Sequence, residues 1–259
     1  MLKDKVDIQN LKDDRNITID KVGVKNVRYP IVVEDRENKT QNTIANIDIF
    51  VELLHKHRGT HMSRFIKVLN EFHQENLVDN LENFLTEIKQ ELFADYAYTR
   101  LKFPYFIQKE APVSKIKSYM SYDCFFEANL KDKFNLTIGV IVPITSLCPC
   151  SKEISDFGAH NQRSEVIIKV LTKDFIWLEE LIEIAENNAS SKIYSLLKRE
   201  DEKYVTEQAY HKPAFVEDIV RDITLDLKND KRISAFKVES ENFESIHNHN
   251  AYACVKRGF

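Results

Sequence analysis

Two runs dense in Val and Ile, Leu136 to Thr145 and Glu165 to Thr172, read as strands in the C-terminal half of the chain. The next apolar positions, Leu178, Leu181, Ile182, Ala185, Ala189, Ile193, Leu196 and Leu197, keep helical spacing. They predict one long helix capped by Asp174. A second helix is expected from Pro213, a residue tolerated in a first turn, through Ile219, Val220, Ile223 and Leu227. Arg232 to Val238 and Ile246 to Val255 read as strands again, giving the order ββααββ.

The N-terminal half repeats that order. Val22 to Val33 and Thr43 to Leu54 read as strands, Ser63 to Phe72 and Leu81 to Phe93 as helices, and Tyr98 to Ile107 and Ile116 to Leu130 as strands. No residue-level repeat accompanies it, so the duplication is architectural. The expectation is an α+β chain of two tandem ββααββ modules, 1–133 and 134–259, with most candidate chemistry in the second. Antiparallel sheets with both helices on one face leave strand edges to cover. Closing a ring between subunits covers them, so an oligomer is expected.

Composition narrows the function. A chain of 259 residues with 43% apolar and 30% charged residues can bury a substantial core. A formal charge of −4 gives no general reason for nucleic-acid binding. The first residues lack the apolar stretch of a signal peptide, and no run is long enough to span a membrane. Four cysteines, Cys124, Cys148, Cys150 and Cys254, suit reduced thiols in the cytoplasm better than a disulfide framework. With five glycines, neither common Gly-rich cradle for ATP or NAD can be written.

The densest chemistry lies between the two Val/Ile runs, from Ser146 to Ser164. Cys148 and Cys150 flank Pro149, which is expected to keep the dipeptide extended. Gly158 allows a turn that could aim His160 back toward Cys148. The long gap between thiol and imidazole suits a catalytic metal with further ligands from elsewhere. Glu202 sits in a charge run that by itself reads as solvated. Glu217 and Asp218 either complement a helix dipole or, through one carboxylate, accept N1–H and N2–H₂ of guanine. His247 and His249, two apart on an expected strand, would share a face as metal ligands or as a proton-transfer pair. His55, His57 and His61 form a further cluster without a thiol or acid, for which a structural or interface role is expected.

Six segments in order resemble the type IB GTP cyclohydrolase family: Arg58–Arg64, Ser146–Ser155, Gly158–Ser164, Asp201–Lys203, Phe215–Asp218 and Glu244–Ala251. The resemblance covers most of the chain. It implies the tunnelling fold, a homotetramer with active sites at subunit junctions, and conversion of GTP and water to 7,8-dihydroneopterin triphosphate and formate. It also implies a divalent metal, zinc, manganese or iron, on Cys148, His160 and Glu202, with Glu244 near enough to join. Glu217 matches the guanine anchor, and His247 and His249 match histidines beside the reacting ring. Lys152 and Arg163 flank the metal loop and are candidates for the triphosphate. The alternative is a related tunnelling-fold enzyme acting on another purine or pterin, with Cys148 as nucleophile.

Overall fold

The computed structural model describes residues 9, 11–72 and 76–259. The chain forms two compact units, one of residues 1–103 and 126–136, the other of residues 104–125 and 137–259. Segment 104–125, in the first module by sequence, therefore groups with the second half.

In the first unit, β1 (Ile19–Asp35), β2 (Lys39–Leu53) and the start of β3 (Ala97–Glu110) are antiparallel neighbours. Ala45, Ile47, Ile49, Val51 and Leu53 alternate onto the buried face of β2. That two-residue period is what places a strand's apolar row on one side. Helix α1 (Met62–Glu71) buries Phe65, Val68 and Leu69, and α2 (Leu81–Leu92) buries Leu81, Phe84, Leu85 and Ile88. Those spacings make one apolar stripe per helix, and α1 and α2 pack on each other and on β1 and β2. The Asp35 carboxylate closes the β1–β2 turn by accepting the amides of Glu37 and Asn38 at 2.9 and 2.7 Å.

In the second unit, the hydrogen-bonded strand order is β4 (Lys117–Leu130), β5 (Phe134–Leu147), β6 (Asn161–Thr172), β8 (Ile233–Asn242) and β9 (Ala251–Arg257). A short β7 (Ser191–Lys192) pairs with β5. Gly139 on β5 is required by close packing, since a Cβ there would lie 1.9 Å from the Phe125 ring. Helix α4 (Leu178–Asn187) packs on β6, and α6 (Val216–Asn229) packs on β8 and β9. Val216, Ile219, Val220, Ile223 and Leu227 form the buried stripe of α6. Each such side chain contributes about 1.5–3 kcal/mol when taken from water.

Three local expectations are corrected. The long helix from Asp174 does not form: α4 begins after Trp177 and ends at Asn187, and α5 (Arg199–His211) is a separate helix. The intervening Asn187-Asn188-Ala189-Ser190-Ser191 is rich in side chains that compete for backbone hydrogen bonds. Asn188 Nδ2 donates to the Ile184 carbonyl, and Ser190 is drawn to β5 through Thr145 O and Leu147 N. The helix expected from Pro213 begins at Val216. The last strand starts at Ala251, because residues 245–250 are all exposed and offer no apolar row.

A buried polar cluster ties β3 and β4 to α4. Lys109 Nζ and Tyr122 Oη each donate to Glu186 Oε1 at 2.6 Å, and Lys109 also donates to the Ile193 carbonyl at 2.7 Å. Burial pushes the Lys109 ammonium below its usual range, while Glu186 opposes that shift. No helix among the described residues is long and apolar enough to cross a membrane.

Candidate active site

The buried row of the second unit changes character at one end. Along β5 it runs Val140, Val142, Ile144, then Ser146; along β6 it runs Val170, Ile168, Val166, then Ser164 and Gln162. On β8 Val238 gives way to Ser240 and Asn242. Strand register brings these together: Ser146 lies opposite Gln162, Ser164 opposite Asn242, and Val166 opposite Ser240. Ser240 Oγ and Asn242 Oδ1 have no partner among the described residues. Each unpaired buried polar atom costs about 1–3 kcal/mol. A polar row kept at that cost serves something other than stability.

Immediately beyond this row, β5 ends at Leu147 and β6 begins at Asn161, with Cys148 and His160 facing across the gap. The Cys148 amide donates to the His160 carbonyl at 3.1 Å. Pro149 does not extend the chain as expected. It opens a short helix, α3 (Pro149–Ile154), for which Cys148 is the N-cap; a fixed φ near −65° suits a first helical position equally well. The turn leaves Cys148 half-buried and Cys150 exposed.

Ser151 ties the two sides together. Its amide donates to Cys148 Sγ at 3.4 Å, its hydroxyl donates to Cys148 O at 3.2 Å, and its oxygen accepts the His160 amide at 3.2 Å. Gly158 has φ of +124°, the kind of turn before His160 that a glycine there allows. The ring is held by Gln162, whose Oε1 lies 3.0 Å from Nδ1. Glu244 Oε2 is 3.9 Å from the same nitrogen, with both side chains largely buried. Glu244 follows a turn in which its amide donates to Asn242 O, while the Phe243 amide donates to Arg163 O.

The other sequence-derived residues are placed differently. Glu202 lies in the first turn of α5 and is exposed; its neighbour Asp201 is the buried carboxylate. Among the described residues no three of His, Cys, Asp and Glu are already gathered for one ion. Glu217 is exposed in the first turn of α6. His247 and His249 are side by side, but through a bend rather than a strand, with rings stacked 5.1 Å apart at 15°. Lys152 is committed to α5: its Nζ donates to Tyr210 O at 2.6 Å and lies over the Tyr210 ring. Arg163 is exposed at the start of β6. In the first unit, His57 and His61 line a cleft with Gly59, Thr60, Arg64 and Phe93.

Sequence reasoning missed Ser146, Ser151, Gln162 and Ser164. Three of them fall in phase with the buried rows, Ser146 with Val142 and Ile144, and Gln162 and Ser164 with Val166, Ile168 and Val170, although polar residues at a strand end read equally well as exposed.

Residues 6–253 match the family model for type I GTP cyclohydrolase folE2. The GTP cyclohydrolase FolE2 of Geobacter sp. (strain M21) is 55% identical over 251 residues, covering 97% of this chain and 94% of that protein. That of Thermosipho africanus is 54% identical, covering 96% of each. Uricase from Arthrobacter globiformis aligns over 92% of this chain and 94% of its own, with a TM-score of 0.52 at 7% identity. Urate oxidase from Bacillus sp. TB-90 aligns over 92% of this chain and 99% of its own, at 0.55 and 10%. At such identities the likeness is one of fold, the tunnelling fold. With a family model spanning nearly the whole chain and relatives above one-half identity, the chain belongs to the type I GTP cyclohydrolase family of FolE2 proteins.

Proposed function

We propose that this chain is a metal-dependent GTP cyclohydrolase I that converts GTP and water to 7,8-dihydroneopterin triphosphate and formate, as a cytoplasmic homotetramer. The observation that carries the reading is the pairing of Cys148 with His160 across the β5–β6 gap, with Glu244 beside the imidazole. The donor set fits a divalent cation in kind: a half-buried thiol, a ring whose Nε2 has no partner among the described residues, and carboxylates at Glu244 and Glu202. Mixed S, N and O donors suit zinc, manganese or iron. A cation bound by these residues supplies acidified water and polarisation for hydrolysis at C8 of guanine.

The chain's own groups do the rest. Glu217, exposed on α6, would accept N1–H and N2–H₂ of guanine with its two oxygens. ATP presents N6–H₂ and an unprotonated N1, so that match fails. His247 and His249 would exchange protons with N7, N9 and the ribose oxygens as the ring opens and recloses. One water adds at C8, a second releases formate from the ring-opened formamide, and one water leaves on reclosure.

The deciding experiment compares wild type, Cys148→Ala and Cys150→Ala by metal analysis and by fluorescence of the pterin formed from GTP. Cys148→Ala is expected to lose bound metal and turnover together, whereas Cys150→Ala keeps at least part of both. Full activity in metal-free Cys148→Ala protein would refute the ligand role. Lost turnover with metal retained would favour the thiol as a nucleophile.

A further inference from the structure

We propose that Gln162 is a positioning residue that holds His160 in the tautomer with its proton on Nδ1, presenting the Nε2 lone pair outward. The use of that lone pair by a cation rests on the metal reading above. Gln162 is 7% exposed, and its amide spans two partners: Oε1 lies 3.0 Å from His160 Nδ1, and Nε2 donates to Ser146 Oγ at 2.7 Å. Ser146 Oγ in turn lies 2.9 Å from Ser164 Oγ. Ser146 and Ser164 are both fully buried, so neither hydroxyl turns to bulk water.

An amide oxygen only accepts, so the nitrogen facing it must carry the proton. The ring's second nitrogen is then an unprotonated donor. Reversing the amide would put NH₂ against Nδ1 and move the ring proton to Nε2, removing the lone pair a cation needs. Ser146 Oγ accepts from Gln162 Nε2 and is itself held against Ser164 Oγ, where either hydroxyl can donate, so the Gln162 amide is anchored at its nitrogen end while its oxygen faces the ring. Glu244 Oε2, at 3.9 Å, is beyond hydrogen-bond distance of Nδ1, which leaves Gln162 as the group that orients the ring. Outer partners of this kind fix a ligand's tautomer and raise its basicity, and their loss weakens metal binding by about 10–100-fold.

The test reads the tautomer directly in metal-free protein, by long-range proton–nitrogen NMR of ¹⁵N-histidine-labelled samples at a pH where the ring is neutral. Wild type is expected to show His160 protonated on Nδ1. Gln162→Leu should shift it toward the Nε2–H form and weaken zinc or manganese binding about 10–100-fold. Gln162→Glu, which keeps an acceptor, should preserve the tautomer. Ser146→Ala, with Gln162 intact, should give a mixture of tautomers and guards against misfolding in the Leu variant. An Nε2–H ring in wild type, or an unchanged ring in Gln162→Leu, overturns the proposal. His160→Ala separates the two readings: unimpaired metal binding there defeats the metal site, while the tautomer result still decides the role of Gln162.

Discussion

The Asp201 carboxylate grips Ser114 at two points, accepting its amide at 2.9 Å and its hydroxyl at 2.6 Å. It also accepts the amides of Val113 at 2.8 Å and Lys198 at 2.9 Å. One buried side chain therefore fastens the turn between β3 and β4 to the first turn of α5. Glu202, the next residue along, is presented by a helix end that Asp201 anchors.

Burial alone would raise the pKa of Asp201. The hydrogen bonds from the Ser114 side chain and from the Ser114, Lys198 and Val113 amides outweigh it and hold the carboxyl well below the usual carboxylate range. A depressed folded-state pKa adds stability that is present above the unfolded value of about 3.9 and is lost as pH falls below it. Asp201→Asn should therefore be less stable than wild type at pH 7, and the gap should narrow as pH drops below about 4. Thermal unfolding against pH checks this. Glu202→Ala, removing an exposed side chain, should change the midpoint far less; an equal loss in both variants would contradict the anchoring role.

Adjacent acids also divide labour at the start of α6. Asp218 Oδ2 accepts the Phe215 amide at 3.1 Å and Asp218 pairs with Arg221 at 3.4 Å, so Asp218 is the helix-terminus acid. Glu217 is exposed, with no such contact among the described residues. Asp218→Ala should cost about 0.5–2 kcal/mol of stability. Glu217→Ala should stay within about 0.5 kcal/mol. Yet Glu217→Ala should lose GTP turnover by about 10²-fold or more while keeping metal. Normal conversion of GTP by that variant would leave Glu217 without a role in guanine selection.

These neighbouring pairs mark where the sequence was legible. Alternation in β2 and helical spacing in α1, α2 and α6 each bury one face, so the pattern and the fold are the same fact. The break between α4 and α5 was hidden because Ile193, Leu196 and Leu197 continue the apolar period beyond Asn187, although the chain there is already turning toward β5. In the run Glu200-Asp201-Glu202, three acids look alike until the Ser114 turn selects Asp201. The site loop was visible as a density of thiol, imidazole and carboxylate. Its support by Gln162 and Ser146 was not, since polar side chains at core-phase positions resemble a strand running out into solvent.

His247 and His249 stack in a bend where every residue from 245 to 250 is exposed. His249 Nδ1 lies 3.2 Å from Asn248 Oδ1, a contact within the bend itself. Nothing in the core depends on either ring, so alanine at each position should change stability by no more than about 0.5 kcal/mol. The proposed ligands Cys148, His160 and Glu202 already supply the three protein donors expected of a catalytic site. His247→Ala and His249→Ala should therefore fold and bind metal at wild-type stoichiometry, while turnover falls by about 10²–10⁴-fold, the usual worth of a positioned acid or base. If only the later proton transfers need one of them, that variant should accumulate the ring-opened formamide, detectable by mass spectrometry. Metal content separates the roles: loss of the ion in either variant would make that histidine a ligand and end its assignment as a proton carrier.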